Sequence, residues 1–150
     1  MQALPGAVLF TCNLNRVRSP MAAGLMKRFF GARVFVDSCG LRRDEDDLPD
    51  PFAVVVMDEL GIDLSGHRSK TFDDLEDMSF DVVISLTSEA QHRAVELARR
   101  SAVEIDYWPT FDPTLTTGSR EAVLDAYRGV RDALEARIFQ RFPQMRTFGG

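Results

Sequence analysis

Cysteine and histidine are scarce in this sequence of 150 residues, which contains only Cys12, Cys39, His67 and His92. Their separations match no spacing that is typical of a metal site, and we expect neither a metal nor another cofactor. Two cysteines also cannot form the disulfide framework of a small secreted protein. We therefore expect a protein of the reducing cytoplasm.

Long apolar runs and an excess of positive charge are absent as well. No apolar run approaches the ~20 residues that a membrane-spanning helix needs, and residues 1–6 lack the basic and apolar parts of a secretory signal. The net charge of -5 argues against general binding to nucleic acids, which depends on a basic surface. We expect neither a membrane nor a nucleic acid as a partner, so any phosphate site has to be local. The sequence leaves the oligomeric state open.

What is present is a regular alternation of strand and helix patterns, which we interpret as one domain over residues 1–150. Apolar segments at 7–11, 33–38, 81–86 and 103–108 are typical of buried strands. Helical patterns cover 20–30, 51–60, 71–78, 88–100 and 120–141. This alternation predicts right-handed crossovers and an α/β fold, in which helices cover both faces of an open parallel sheet. The acidic segment 42–50 is interpreted as a solvated surface loop.

The first strand ends in a short loop that opens directly onto the helix beginning near Pro20. Cys12 starts this loop and Arg18 ends it. The positive field at a helix N-terminus stabilises a thiolate, the nucleophilic form of cysteine, and Ser19 can donate a hydrogen bond to it. The planar guanidinium of Arg18 matches two oxygens of a phosphate. The pattern predicts a nucleophile beneath a tetrahedral oxyanion. The alternative is a buried structural cysteine with an arginine that caps another group.

A thiolate that attacks a phosphate ester also needs a general acid for the departing oxygen. Asp112 follows the fourth predicted strand, between Phe111 and Pro113. The carboxyl ends of parallel strands meet at one edge of a sheet, so we expect Asp112 to lie near Cys12. Partial desolvation by its neighbours would keep the carboxyl protonated for part of the time. The alternative is an ordinary turn aspartate before proline.

With these residues in place, the sequence resembles the low-molecular-weight protein tyrosine phosphatase family. Matching segments at 8–20, 37–40, 61–69, 80–86 and 112–113 follow in the same order and extend over nearly the whole chain. The segment 61–69, Gly-Ile-Asp-Leu-Ser-Gly-His-Arg-Ser, is nearly identical to that of the family. The resemblance implies a flavodoxin-like sheet of four parallel strands. It also implies Cys12 as nucleophile, Arg18 as transition-state clamp and Asp112 as general acid.

The resemblance assigns further roles around the loop. Six loop residues would surround the substrate phosphate: Asn13, Leu14, Asn15, Arg16, Val17 and Ser19. Four residues match the polar network that holds the loop in shape in this family: Asn15, Ser19, Ser38 and His67. In this interpretation His67 is structural and carries no proton in the reaction.

Several positions depart from the family pattern. Leu14 replaces the usual glycine, and Val17 replaces a second cysteine that protects the nucleophile in many relatives. Thr114 and Leu115 stand where aromatic residues usually form a wall for the phosphotyrosine ring, and residues 86–87 are Leu-Thr instead of Met-Asp. Cys39 is then the one other thiol that could protect the nucleophile. We favour the interpretation that Cys39 is a small buried residue without that role.

The leading hypothesis is a phosphomonoester hydrolase, more specifically a protein tyrosine phosphatase, that acts through a phospho-cysteine intermediate on a phosphorylated protein or a small phosphoester. Two alternatives stay open. One is an arsenate reductase that uses an external thiol or a redox partner, because Cys12 and Cys39 are too few for a three-cysteine relay. The other is a non-enzymatic module that binds an oxyanion or a partner on the same scaffold.

Overall fold

A computed structural model describes residues 4–76 and 79–143, in which strands alternate with helices. In chain order the elements are β1 (Ala7–Cys12), α1 (Arg18–Phe30), β2 (Phe35–Gly40), α2 (Pro51–Asp58), β3 (Val82–Ser85), α3 (Ser88–Ala98), β4 (Glu104–Tyr107) and α4 (Arg120–Arg141). Two short 3₁₀ turns, at Phe72–Asp74 and Pro113–Leu115, lie between them.

The four strands form one parallel sheet in the order β2-β1-β3-β4. In its register, Cys12 at the end of β1 lies opposite Gly40 at the end of β2. Ser85 at the end of β3 lies opposite Thr11 on one side and Tyr107 on the other. All four strands therefore end at the same edge of the sheet. The predicted flavodoxin-like α/β fold with an open parallel sheet is confirmed.

Helices cover both faces of this sheet, as the sequence predicts. Side chains of a strand alternate between the two faces. Along β1, Val8, Phe10 and Cys12 enter a large core with apolar side chains of α1, α2 and α4. Leu9 enters a smaller core on the other face, to which α3 contributes Ala94. The side chain of Cys12 thus approaches from the face that carries α1.

The helix predicted over residues 71–78 is wrong: the structure has only the 3₁₀ turn at Phe72–Asp74. Asp77 and Met78, at the end of that predicted helix, lie outside the described residues. The Asp74 side chain accepts hydrogen bonds from the backbone N–H and hydroxyl of Thr71, closing the turn locally. Leu75 then adopts an extended conformation and packs against the smaller core, so the chain does not continue as a helix.

Helix starts near the site use side-chain caps. Asp50, Thr87 and Ser119 each accept a hydrogen bond from a backbone N–H in the first turn of α2, α3 and α4, respectively. The α1 helix differs, because Val17 at its N-cap position provides no side-chain cap. No helix in the described part of the chain is long and apolar enough to cross a membrane.

Candidate active site

The loop between β1 and α1, residues 12–18, is here called the phosphate loop. All seven of its residues line one cavity of about 380 Å³ at the carboxyl edge of the sheet. The rest of the wall comes from other segments and consists of Arg42, Asp44, Asp50, Asp112 and Thr114. The structure therefore brings the three predicted catalytic residues, Cys12, Arg18 and Asp112, to one cavity.

Cys12 is buried at the floor of the cavity, and its Sγ lies 2.9 Å from the Oγ of Ser19. The same Ser19 hydroxyl oxygen accepts a hydrogen bond from the Nδ2 of Asn15, at 2.8 Å. Because Asn15 occupies an acceptor site of this oxygen, the hydroxyl proton is free to be donated to the sulfur. Ser19 is therefore placed to donate a hydrogen bond to the sulfur of Cys12.

Arg18 is the first residue of α1, and its side chain is only 13% exposed. Its Nη1 donates a hydrogen bond to the carbonyl oxygen of Thr110 at 3.1 Å, and its Nη2 lies 3.8 Å from the Oδ2 of Asp112. Backbone N–H groups in the first turn of an uncapped helix are available to an anion. The phosphate loop therefore combines a helix N-terminus with a guanidinium held against the segment that carries Asp112.

Asp112 lies at the N-cap of the 3₁₀ turn at Pro113–Leu115, and its side chain is 30% exposed. Its Oδ1 accepts hydrogen bonds from the backbone N–H and the hydroxyl of Thr114, at 3.0 and 2.6 Å. The structural role predicted as an alternative for this residue is thus present. The other oxygen, Oδ2, is the one that faces Arg18, so a capping role and a role in the cavity involve different oxygens.

Asn15 is the buried centre of the network that supports the phosphate loop. It has a positive φ of 58°, a conformation that asparagine tolerates better than most residues. Its Nδ2 donates to the hydroxyls of Ser19 and Ser38, and its Oδ1 accepts from the backbone N–H of Lys70. Its carbonyl oxygen accepts from the Oγ of Ser69 and lies 2.8 Å from the Nε2 of His67. No sequence signal identified Ser69 or Lys70 as part of this network, although Ser69 belongs to the segment 61–69.

His67 contacts the backbone of the phosphate loop and does not line the catalytic cavity. Burial lowers the pKa of its imidazole below the usual value of 6.5. A neutral imidazole with its proton on Nε2 can donate to the Asn15 carbonyl oxygen. The geometry is that of a structural support.

The acidic segment 42–50 is more than the solvated surface that the sequence suggests. Arg16 of the phosphate loop donates from Nε to the carbonyl oxygen of Leu48 at 2.8 Å and forms an ion pair with Asp44 at 2.7 Å. The backbone N–H of Asp50 donates in turn to the Arg16 carbonyl oxygen. The Glu45 N–H and the Arg16 side chain lower the pKa of Asp44. Arg16 therefore attaches this segment to the site, where Asp44 and Asp50 form part of the wall.

Asp50 is also attached from the opposite side, by the long helix α4. The hydroxyl of Tyr127 donates to its Oδ2 at 3.0 Å, while its Oδ1 caps α2. Burial, followed by the nearby charge of Asp50, raises the pKa of Tyr127, so the phenol remains a donor over the usual pH range. Neither residue carries a sequence motif, and this pair was missed because it joins positions 77 residues apart.

Asn13 joins the phosphate loop to the start of α3. Its Oδ1 accepts from the hydroxyl of Thr87 at 2.7 Å, and its Nδ2 donates to Glu89 at 3.0 Å. The pKa of Glu89 is lowered, first by its own backbone N–H and then by its hydrogen bonds with Ser88 and Asn13. Thr87, which departs from the family pattern in the sequence, thus both caps α3 and holds the loop.

Cys39 lies on the other face of the sheet from Cys12. Its side chain belongs to the smaller core, where its Sγ lies 3.8 Å from the Oγ1 of Thr11, whereas Cys12 belongs to the larger core. Both cysteines are free thiols. Burial raises the pKa of Cys39 to about 12, so its thiol stays protonated at neutral pH and is a poor nucleophile. These facts support the interpretation of Cys39 as a small buried residue.

The positions at which the sequence departs from the family pattern lie in or beside the cavity wall. Leu14 lines the cavity, while the side chain of Val17 also packs into the larger core. Thr114 lines the cavity, but Leu115 is 72% exposed, and no aromatic residue of the described ranges forms part of this wall. Within residues 4–76 and 79–143, no three His, Cys, Asp or Glu side chains are grouped to hold a metal ion.

Comparison with known proteins agrees with this geometry. A glutaredoxin arsenate reductase from Synechocystis sp. is 32% identical over 131 residues, which are 87% of this chain and 92% of that protein. The YwlE arginine phosphatase from Geobacillus stearothermophilus superposes with a TM-score of 0.77 at 26% identity, covering 95% of this chain and 94% of the other. A low molecular weight protein tyrosine phosphatase from T. tengcongensis superposes with a TM-score of 0.74 at 26% identity, covering 92% and 98%. The profile of one family matches residues 7–145, and the chain accordingly belongs to the low molecular weight phosphotyrosine protein phosphatase family.

Proposed function

We propose that the protein hydrolyses phosphomonoesters through a phospho-cysteine intermediate. The observation that supports this most directly is the hydrogen bond between Cys12 and Ser19 at the floor of a cavity that Arg18 and Asp112 also line. The cavity thus holds a nucleophile with a donor to its thiolate, a cation for the phosphoryl oxygens and a carboxyl group for the departing oxygen. Those are the parts that a two-step transfer of a phosphoryl group needs.

In the first step, the Cys12 thiolate attacks phosphorus and the ester oxygen leaves with a proton from Asp112. Negative charge on the three equatorial oxygens is stabilised by the phosphate-loop N–H groups and by the guanidinium of Arg18. In the second step, Asp112 takes a proton from a water molecule that attacks the phospho-cysteine. Phosphate leaves and the thiolate is restored, so no cofactor is required.

Arsenate reduction is a second candidate, which the similarity to the glutaredoxin arsenate reductase favours. Arsenate could replace phosphate in the first step, with loss of water to give a Cys12 arsenate thioester. Reduction of arsenic(V) to arsenic(III) then requires two electrons from thiols. Because Cys39 is buried in the smaller core, the second thiol would have to come from outside the chain, such as glutathione or a dithiol protein. The Cys12 thiol would end in a mixed disulfide that another thiol then reduces.

Turnover assays of one preparation separate these functions. We expect hydrolysis of para-nitrophenyl phosphate by the wild type and by Cys39→Ala, and none by Cys12→Ser or Arg18→Ala. Hydrolysis without added thiol supports the phosphatase, whereas arsenate turnover that depends on glutathione or on a glutaredoxin, without phosphate release from any ester, would support the reductase. Binding of phosphate or vanadate without any turnover would leave only a binding module. Substantial hydrolysis by purified Cys12→Ser would reject the nucleophile.

A further inference from the structure

A second cavity, of about 360 Å³, lies between the segment that leads into Asp112 and one face of α4. We call it the α4 groove. Residues 108–111 form one wall, and Ala126, Gly129, Ala133 and Leu134 form much of the other. Trp108 and Leu134 are buried in the larger core, so the floor of the groove is firmly packed. Its lining is largely apolar, in contrast to the charged wall of the catalytic cavity.

One short chain segment, residues 110–112, joins the α4 groove to the catalytic cavity. Thr110 lines the groove, and its carbonyl oxygen accepts a hydrogen bond from Arg18 at 3.1 Å. Asp112, two residues further on, lines the catalytic cavity. Because Thr110 and Asp112 are only two positions apart in the chain, an extended peptide that runs alongside this segment spans the same separation with two or three of its own residues.

Exposed apolar residues lie on both sides of Asp112. Phe111, which forms one edge of the groove, is 59% exposed, and Leu115 is similarly open to solvent. An exposed apolar side chain that adjoins an apolar depression, as Phe111 does, is typical of a surface that binds a protein or peptide. A small phosphometabolite would contact neither of them from within the catalytic cavity.

Gly129 leaves the groove open but lowers the stability of α4. Glycine is the least favourable residue in a helix interior after proline. A β-carbon at this position would meet no atom within 4 Å, so no close packing requires the glycine. Ala126 and Ala133, three and four residues away along the helix, lie on the same face and are also small. Together they leave room for a side chain that the protein itself does not supply.

We propose that the α4 groove binds an apolar side chain of a protein substrate, two or three residues from the phosphorylated residue. This inference rests on the proposed phosphatase function and deepens it, because it adds a binding site for a substrate side chain beside the catalytic cavity. Trp108 and Phe111 would contact the apolar side chain, while the guanidinium of Arg137, 5.5 Å from the centre of the Trp108 ring, borders the groove.

Peptide kinetics test the proposal with the full-length protein. Phosphotyrosine peptides would carry a single leucine, moved through the three positions before and after the phosphotyrosine in a serine background. We expect kcat/KM to rise about tenfold when leucine stands two or three residues away on one side, as expected from burying part of a leucine side chain. Equal kcat/KM across the series would overturn the inference. So would hydrolysis of para-nitrophenyl phosphate but of none of the peptides.

Variants of α4 provide the matched comparison. Gly129→Phe and, separately, Ala133→Phe fill the groove, and each is expected to abolish the preference for leucine while leaving kcat/KM for para-nitrophenyl phosphate unchanged. Ala136→Phe, at an exposed position of α4 outside the groove, should retain the preference. A leucine preference that persists in both filled variants would contradict the proposed site.

Fluorescence separates failure of the groove from failure of the catalytic proposal. Trp108 is the one tryptophan in the sequence and lines the groove. Titration of Cys12→Ser with the best leucine peptide should change its emission, and the all-serine peptide should change it much less. Unchanged emission with both peptides would overturn the groove as a binding site. Absence of para-nitrophenyl phosphate hydrolysis by the wild type would instead overturn the phosphatase proposal, whatever the fluorescence shows.

Discussion

Gly40 lies directly against the backbone of Asn13: a β-carbon built on Gly40 would come within 2.8 Å of the Asn13 carbonyl oxygen. The same β-carbon would lie 2.9 Å from the backbone nitrogen of Asn15. The neighbouring backbone is also tied here, because the N–H of Leu41 donates to the Asn13 carbonyl oxygen. The end of β2 therefore fixes the path of the phosphate loop, and only a residue without a side chain fits.

We expect Gly40→Ala to displace the phosphate loop, because the atoms that its methyl group meets are backbone. The free energy of unfolding should fall by about 1–3 kcal/mol, as is typical of overpacking. A shift of about 1 Å in the catalytic loop should lower kcat/KM for para-nitrophenyl phosphate by roughly 100-fold. Urea unfolding and steady-state kinetics measure the two effects.

Gly129→Ala is the control for this substitution, since a β-carbon at Gly129 meets nothing within 4 Å. It should stabilise α4 by about 0.5–1 kcal/mol and leave para-nitrophenyl phosphate hydrolysis unchanged. If Gly40→Ala behaved like this control in both measurements, the loop would not depend on the close approach of β2.

Replacement of the proposed general acid should have an effect that depends on the leaving group. In Asp112→Asn, the side chain keeps its shape but has no proton to donate to the ester oxygen. We expect rates for phenyl phosphate to fall by roughly 100-fold or more, and rates for para-nitrophenyl phosphate to fall much less, because nitrophenolate leaves without protonation. Equal losses across a series of substituted phenyl phosphates would leave Asp112 only as the cap of its 3₁₀ turn.

Stability should depend on pH through His67. Its folded-state pKa lies below the usual 6.5 because of burial, so the unfolded chain binds the proton more tightly than the folded chain. The contribution of His67 to the free energy of unfolding is fully present above pH 6.5. It decreases as the pH falls below that value, down to the folded-state pKa. Urea unfolding at a series of pH values between about 5 and 8 measures this dependence.

Two variants separate His67 from other titrating groups. In His67→Gln, an amide can still donate to the Asn15 carbonyl oxygen but does not titrate, so the decrease below pH 6.5 should be smaller than in the wild type. His92→Gln, at an exposed position of α3, should follow the wild type. An identical pH dependence in His67→Gln and the wild type would contradict this account.

Oxidation should inactivate the protein without protection by Cys39. Because Cys39 is on the other face of the sheet, peroxide should convert Cys12 to the sulfenic acid and then to the irreversible sulfinic acid. Activity should return only in part with dithiothreitol, and Cys39→Ala should lose and regain activity as the wild type does. Peptide mapping after mild peroxide treatment would contradict this by finding a Cys12–Cys39 disulfide, accompanied by full recovery.

Much of the fold followed from local patterns. The strand and helix alternation predicted the parallel sheet, and the bounds predicted for α4, 120–141, match the structure because a long amphipathic helix has a strong period and Ser119 caps its start. The helix predicted at 71–78 failed, because packing of Leu75 against the smaller core overrides local helix preference. Periodicity describes one segment at a time and carries no information about which core a short segment joins.

Some features of the candidate site could likewise be predicted from local sequence, and others depend on contacts between distant segments. The closeness of Cys12, Arg18 and Ser19 could be predicted from the sequence because all three lie within the short segment 12–19, where a strand ends and a helix begins. The attachment of Arg16 to Leu48 and Asp44, that of Asn13 to Thr87, and the bond from Tyr127 to Asp50 join segments far apart in the chain. No short motif encodes these contacts.

The sequence by itself determined the α/β architecture, the phosphate loop and the absence of a cysteine relay, since each depends on local order or on counting residues. Only the tertiary structure decided that Cys39 faces away from Cys12, that the acidic segment belongs to the cavity wall, and that α4 forms an open groove beside Asp112. The physical reason is that a strand offers two faces and a helix several. Which of them meets the site depends on the packing of the whole chain.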